Sequence, residues 1–184
     1  MGRNVLLLYM SQFYFPAKNP VIRTQTNEAA VRELKQNKEG PDCILALCSE
    51  RVRSEKTVTP PGGTACTTLE YFRDVFLPSV QIPTESLVVI PVPDSMDDKA
   101  QFRAISQLLA KIGPEDTLSI DLSGGLRDTA MLLVTAARCM RDLRGVDTRR
   151  VVYAELLPGG TTKVHDSSML YNLFDLITAM DEFF

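Results

Sequence analysis

The chain has 184 residues, of which 45% are hydrophobic and 23% are charged, and its formal net charge at pH 7 is -3. These proportions are typical of a soluble globular chain and exclude a disordered, fibrous or disulfide-stapled protein. The length fits one domain of roughly 100–200 residues. The small negative net charge excludes a polycation that holds nucleic acid by bulk electrostatic attraction.

Histidine and cysteine are both scarce. The single histidine, His165, leaves little material for multi-histidine metal sites or histidine-based triads. The cysteines, Cys43, Cys48, Cys66 and Cys139, form no CxxC pair. They are therefore predicted to be small core hydrophobes, with a zinc site as the less favoured alternative.

An apolar run follows the amino terminus. The run from Val5 to Met10 is short and precedes no small-residue cleavage site, so it predicts a buried first strand rather than a signal peptide. No apolar stretch approaches the ~18 residues that a membrane span requires. We expect a cytoplasmic protein with no membrane partner.

Apolar β-rich runs alternate with helical patterns, which is typical of a parallel sheet flanked by helices. In chain order the predicted elements are strand Val5–Tyr9, helix Thr24–Lys38, strand Cys43–Cys48, helix Thr64–Phe76, strand Leu87–Pro91, helix Asp97–Ile112, strand Thr117–Leu122, helix Gly125–Leu143, strands Val151–Leu156 and Thr162–His165, and a last helix capped by Ser167 or Ser168. The turn at 158–160 predicts that the last two strands form an antiparallel hairpin.

Caps and apolar stripes refine these predictions. Thr26 or Asn27 is available to cap the first helix, and Pro78 is expected to end the second. The third helix is expected to bury Phe102, Ile105, Leu109 and Ile112. The last helix carries an apolar stripe of Leu170, Leu173, Phe174, Ile177 and Met180.

The pattern as a whole predicts one α/β domain over residues 1–184. We expect a Rossmann-like, mostly parallel central sheet of about six strands, with helices on both faces, a C-terminal hairpin and a last helix. The chain ends on two large aromatic residues, Phe183 and Phe184. Since chain ends are usually polar, this end predicts docking or a chain cut from a longer protein.

The segment after the predicted fourth strand, DLSGGLRDT (121–129), carries the strongest functional indication. Ligands of open α/β sheets bind beyond the carboxyl ends of the strands. Gly124 and Gly125 allow a sharp turn and a close ligand approach, and the amides from Leu126 onward begin a helix whose positive end attracts anions. Ser123 adds a hydroxyl and Arg127 a guanidinium, so the segment predicts a phosphate-binding corner.

The alternative for this corner is an ordinary turn in which Arg127 pairs with Asp128 or Asp142. Motifs of other nucleotide and hydrolase sites are absent: the chain has no GxGxxG after its first strand, no GxxxxGK[ST] and no GxSxG. SGGLRDT resembles the SGGxDS loop of pyrophosphate-splitting ATP enzymes, but it has an extra residue and follows the fourth strand rather than the first.

The loops after the first and second strands offer further candidates. The first is long for a βα connection, which usually has about 2–6 residues, and its aromatic and amide side chains suit base stacking and hydrogen bonding to base edges. The candidates in and beside this loop are Tyr9, Ser11, Gln12, Phe13, Thr24, Gln25 and Asn27. The alternative is that Phe13 and Phe15 simply cover the sheet. Ser49 and Glu50 take the matching place after the second strand, followed by the cations Arg51, Arg53 and Lys56, which are ligand contacts or solvated charge.

The segment IDLSGGLRDTAML (120–132) resembles the D-[ILV]-[ST]-x-G-x-R element of the CRISPR-associated Rossmann-fold (CARF) sensor domains of type III CRISPR accessory effectors. The polar loop after the first strand, the TQTNEAAV segment and Ser49 fit the same plan. The resemblance implies a two-fold dimer that binds a cyclic oligoadenylate across its axis and activates an attached or partner effector in antiviral defence. We expect no cofactor and no metal, and no DNA partner either, since the chain contains no helix-turn-helix segment and no basic recognition helix.

The resemblance also assigns roles to the candidates. Phosphate contacts are expected from Ser123, Gly124, Gly125, Leu126 and Arg127. Contacts to adenine edges and ribose hydroxyls are expected from Ser11, Gln12, Thr24, Gln25 and Asn27, with Tyr9 or Phe13 stacking. Ser49 and Glu50 are expected as further ligand contacts. No catalytic residue is expected for a sensor. Two alternatives stay open, a ring nuclease that aligns a ribose hydroxyl with its neighbouring phosphate and an ATP-pyrophosphatase-like enzyme.

Overall fold

The computed structural model describes residues 2–13, 25–125, 127–158 and 160–173. Its centre is a six-stranded sheet in the order β3-β2-β1-β4-β5-β6. The strands are β1 (Asn4–Tyr9), β2 (Cys43–Cys48), β3 (Leu87–Pro91), β4 (Thr117–Asp121), β5 (Asp147–Leu156) and β6 (Thr162–Asp166). The first five are parallel and β6 pairs antiparallel with β5, so the predicted mostly parallel sheet and terminal hairpin are confirmed.

Helices cover both faces of this sheet. They are α1 (Thr26–Gln36), α2 (Glu50–Ser54), α3 (Thr68–Tyr71), α4 (Leu77–Ser79), α5 (Asp98–Leu109) and α6 (Arg127–Arg144), with a π-helical turn (Phe72–Phe76) joining α3 to α4. Alternate side chains of β1 enter opposite cores: Leu7 packs with residues of α5 and α6, and Leu8 with residues of α1 and the π-helical turn. This alternation is the period-2 geometry of a strand that is buried on both faces.

The strand order creates a crevice at the carboxyl end of β1. The chain runs from β1 to β2 on one side, and β4 later pairs with β1 on its other side. The helices that follow β1 and β4 lie on opposite faces, because α1 packs in one core and α6 in the other. The loops at the ends of β1 and β4 therefore diverge, which is the arrangement in which open α/β sheets bind ligands.

The start of the first helix and both ends of the second differ from the sequence prediction. Neither Thr26 nor Asn27 caps α1, since the helix begins at Thr26 with Gln25 at the cap position. Pro78 does not end the second predicted helix at Phe76, because the π-helical turn places this proline in the first turn of α4, where its missing N–H is tolerated. That helix begins at Thr68 rather than Thr64, where Thr67 and Glu70 form a capping box.

Two predicted apolar stripes are wrong in part. Phe102 is 74% exposed, whereas Ile105 and Leu109 pack partly buried against the core and Ile112 is buried, as predicted. The buried residues within α5 itself are Ala104 and Leu108. On the last helix, described over residues 168–173, Tyr171 is buried whereas Leu170 and Leu173 are exposed. The first turn of that helix therefore packs through its tyrosine. The other predicted members of this stripe, Phe174, Ile177 and Met180, lie outside the described residues.

An ion pair fastens the amino terminus to the loop before β4. Asp116 is 7% exposed, and its carboxylate accepts hydrogen bonds from the Arg3 backbone N–H, the Arg3 guanidinium and the Gly113 N–H. The Arg3 guanidinium beside Asp116 holds the pKa of this carboxyl well below its usual range. The pair therefore stabilises the folded state when the carboxyl is ionised.

We expect Arg3→Gln to lower the free energy of unfolding at pH 7 by about 1–2 kcal/mol, because a nearly buried carboxylate loses its charged donor. Because the folded-state pKa is depressed, this contribution is present above the unfolded pKa and is lost as the pH falls through the folded one. Urea unfolding of both proteins between neutral and acid pH measures it, and their difference should narrow below about pH 4. Arg73→Gln, which breaks an exposed pair with Asp74, is the control and should change stability by under about 0.5 kcal/mol. Equal losses in both variants would contradict the prediction.

Candidate functional site

A cavity of about 640 Å³ opens at the carboxyl edge of the sheet, within the size range of small-molecule sites. It lies at the crevice described above and collects residues that follow four parallel strands. Its lining comprises Tyr9, Met10, Ser11, Gln12, Thr26, Ser49, Arg51, Val52, Asp94, Ser95, Met96, Ser123, Gly125, Asp128 and Thr129. The lining thus combines hydroxyl, amide and apolar groups with few charges.

Asn27 holds together the elements that form this cavity. Its buried side chain donates from Nδ2 to Asp121 Oδ2 at 2.7 Å and to the Tyr9 carbonyl at 3.2 Å. Its Oδ1 accepts from the Ser11 N–H at 2.7 Å and from the Ser11 hydroxyl at 2.9 Å. One side chain thereby fixes the end of β1, the first turn of α1 and the end of β4 relative to one another.

Asp121, the last residue of β4, is fully buried beneath the cavity. Burial raises the pKa of its carboxyl, while hydrogen bonds from Ser123 and Asn27 oppose that rise. The Ser123 hydroxyl bonds to Asp121 and also accepts the Ala154 N–H at 2.7 Å. This hydroxyl therefore anchors the corner to β4 and β5, although the residue also lines the cavity.

The two glycines of the corner serve different purposes. Gly124 is buried, and a Cβ there would lie 1.7 Å from the Tyr9 carbonyl oxygen. Gly125 is exposed to the cavity with φ +78, and a Cβ there would lie 2.3 Å from Thr129 Oγ1. Gly124 is thus required for the close approach of the corner to β1, and Gly125 for a left-handed turn that faces the cavity.

The opposite wall of the cavity comes from the segments after β2 and β3. The Asp94 carboxylate accepts the Arg51 N–H at 3.1 Å. Hydrogen bonds from Arg51 and Ser49 lower the pKa of Asp94, so it is an anion at neutral pH. Tyr9 also hydrogen-bonds Ser49, but burial dominates and raises the pKa of its phenol. This wall therefore offers hydrogen-bond acceptors beside an aromatic ring.

The structure brings about half of the candidate residues together at the cavity. Those in its lining are Tyr9, Ser11, Gln12, Ser49, Ser123 and Gly125. Those that do not line it are Phe13, Gln25, Asn27, Glu50 and Gly124. Thr24, Leu126 and Phe15 lie outside the described residues, as does the Arg127 side chain, although Arg127 begins α6.

The candidates away from the lining have structural contacts. The Phe13 ring packs edge-to-face on Tyr71 with centroids 4.8 Å apart, so it covers the core instead of facing the cavity. Gln25 is buried, and its Nε2 donates to the Ser11 carbonyl at 2.9 Å, so it holds the backbone of the loop after β1. Glu50 is an exposed residue of α2. For Asp142, one suggested partner of Arg127, the Oδ1 atom lies 3.7 Å from Nη2 of Arg138.

No residue of the segment after β3 was predicted as a site candidate from the sequence. Asp94, Ser95 and Met96 line the cavity together with Thr26 and Thr129. The one indication that the sequence offers is position, because any residue following Pro91 follows a parallel strand and reaches the same edge of the sheet.

Within ranges 2–13, 25–125, 127–158 and 160–173, no cluster of histidine, cysteine and acidic side chains is arranged to hold a metal ion. Among the same residues, no helix has the length and apolar character to cross a bilayer. Comparison with protein families finds no family model that matches the chain. Comparison with curated proteins likewise finds no significant match.

Proposed function

We propose that this chain is a sensor that binds a cyclic oligoadenylate at a two-fold dimer axis and thereby activates an attached or partner effector in type III CRISPR antiviral defence. The observation that carries the proposal is the cavity at the crevice between β1 and β4. Its lining joins the corner of the CARF-like segment to the polar residues after β1. A volume in the range of small-molecule sites, together with the hydroxyl and amide groups of the lining, supports a nucleotide ligand.

The residues of the lining suit distinct parts of such a ligand. Ser11, Gln12 and Ser49 offer neutral hydrogen-bonding groups for adenine edges and ribose hydroxyls. Gly125 and the start of α6 at Arg127 supply the positive end of an 18-residue helix for phosphate. A two-fold dimer would present two copies of this set to a ring that is itself symmetric.

A sensor binds its ligand without cleaving it, and the hydrogen bonds and burial of two site residues support such a role. The Ser123 hydroxyl is engaged by Asp121 and Ala154, and Asp121 is buried below the cavity. Neither group is therefore a free nucleophile or base at the surface of the site. Slow ring cleavage by alignment alone and ATP hydrolysis are the two competing activities, and the binding experiment separates them from sensing.

Calorimetric titration of the purified chain with cyclic tri-, tetra- and hexaadenylate tests the proposal. We expect tight binding of at least one ring at one ring per two chains, with the ring recovered intact by chromatography. Linear products would favour the ring nuclease, and preferential binding of Mg-ATP would favour the ATP enzyme. A chain that binds none of the three rings would overturn the proposal.

We expect Arg127→Ala to weaken binding of the preferred ring by about 1–3 kcal/mol, since a charged hydrogen bond to phosphate is removed. Calorimetry measures the change, and circular dichroism should report an unchanged fold. Arg73→Ala removes the same charge from an exposed pair outside the cavity and should leave the affinity unchanged. If Arg127→Ala binds as tightly as this control, the corner does not hold phosphate.

A further inference from the structure

A second groove of about 350 Å³ lies beside the cavity, over the amino-terminal half of α5. It begins at the carboxyl end of β3, and Ser95 lines both this groove and the cavity. A ligand that extends beyond the cavity past Ser95 would therefore enter the groove. This position is separate from the corner between β4 and α6.

The groove carries two cations one helical turn apart. Lys99 and Arg103 both line it and are exposed, and their i,i+4 spacing places them on the same face of α5. In the part of the chain that the structure describes, neither side chain forms an ion pair with a carboxylate. Their donors are thus available to an anion.

The cavity has the opposite charge balance. Asp94 and Asp128 line it, and the cation Arg51 lies 3.3 Å from Glu55. When a ligand with several phosphates occupies the cavity, some of its phosphates lie near these carboxylates and are repelled by them. Positive charge outside the cavity would compensate for this repulsion.

The groove would hold an anion through side chains rather than through the end of α5. Asp97 caps that helix and accepts the Ala100 N–H at 2.8 Å, which places a negative charge at the helix start. The cations lie beyond this cap in the sequence, so an anion would be bound towards Arg103. A guanidinium and an ammonium group together match a phosphate with several acceptor oxygens.

We propose that this groove is a phosphate subsite, in which Lys99 and Arg103 bind a phosphate of the nucleotide ligand that lies outside the β4–α6 corner. The inference rests on the proposed function and extends it, because it assigns part of the ligand to α5.

The test compares a Lys99→Gln/Arg103→Gln double variant with the unmodified chain. The probe is the cyclic oligoadenylate that binds the unmodified chain most tightly, titrated calorimetrically at several salt concentrations. We expect the double variant to bind about 10- to 100-fold more weakly. The slope of log affinity against log salt should become shallower by about 0.7 for each phosphate that the variant no longer neutralises.

The matched control is Lys111→Gln/Arg149→Gln, which removes two exposed positive charges near the opposite edge of the sheet. Its affinity and salt slope should follow those of the unmodified chain. Equal behaviour of the two double variants would overturn the phosphate subsite while leaving the proposed function standing. Failure of the unmodified chain to bind any ring would overturn both.

Discussion

Gly124→Ala is expected to lower the free energy of unfolding by about 3 kcal/mol or more, because a close-packed backbone contact leaves no space for a methyl group. The added Cβ would lie 1.7 Å from the Tyr9 carbonyl oxygen and 3.1 Å from the Ser11 backbone nitrogen. These are backbone atoms at the end of the central strand, so the corner between β4 and α6 would have to move away from β1. Urea denaturation followed by circular dichroism measures the loss.

Gly63→Ala is the control for this prediction. A Cβ at that exposed glycine would meet Pro60 at 3.5 Å, an ordinary van der Waals distance. We expect a change within about 0.5 kcal/mol, as for most surface substitutions. A Gly124→Ala protein as stable as this control would mean that the corner relaxes without strain, and its tight packing against β1 would no longer explain the glycine.

Asn27→Ala is expected to lower the free energy of unfolding by about 3–4 kcal/mol, since it leaves one oxygen of a buried carboxylate and a partly buried N–H without their hydrogen-bond partner. The carboxylate is that of Asp121, and the N–H is that of Ser11. Asn37→Ala is the control, because this asparagine is exposed and its side chain bonds only to that of Glu33 among the described side chains. Its change should stay below about 0.5 kcal/mol.

The pH dependence of Asn27→Ala tests the same contact independently. Burial already raises the pKa of Asp121 in the folded protein. Such a group stabilises the fold fully below its unfolded pKa and loses that contribution as the pH rises through the folded one. Without Asn27 the ionised Asp121 carboxylate loses a hydrogen-bond donor, so the pKa of this carboxyl in the folded protein rises further. The stability that the protein loses between acid and neutral pH is therefore larger in the variant. The difference in unfolding free energy between the unmodified chain and Asn27→Ala should therefore narrow on acidification. A difference that does not depend on pH would contradict the role of Asn27 at Asp121.

The candidate site divides into parts that the sequence could predict and parts that it could not. Tyr9 ends an apolar strand, and Ser11 and Ser123 follow apolar strands, so their position at the carboxyl edge was predictable from the strand pattern alone. Asn27 was predicted as a ligand contact, but it is buried and joins three elements. No local pattern distinguishes these roles, because the same neighbouring residues can flank an asparagine that faces a ligand and an asparagine that bridges buried elements.

The helix faces show the same limit. The spacing of Phe102, Ile105 and Leu109 fits a helical stripe. Ile105 and Leu109 do pack against the core, but the fully buried positions of α5 are Ala104 and Leu108, and Phe102 lies at the surface. The rotation of α5 about its axis is set by its packing against the sheet and α6, and a small alanine allows closer approach than a phenyl ring does.

The amino-acid sequence by itself determined the six strands, apart from the first four residues of β5 (147–150), together with their mostly parallel arrangement and the terminal hairpin. The reason is that continuous apolar runs and the turn at 158–160 leave the backbone few other ways to bury these strands. Only the tertiary structure decided which polar residues face the cavity. That choice depends on contacts between residues far apart in the chain, such as Asn27 with Asp121 and Gly124 with the Tyr9 carbonyl. The hydrogen-bond partners of a buried polar side chain and the close packing around it are properties of the assembled sheet edge. They arise only after β1, α1 and β4 have come together.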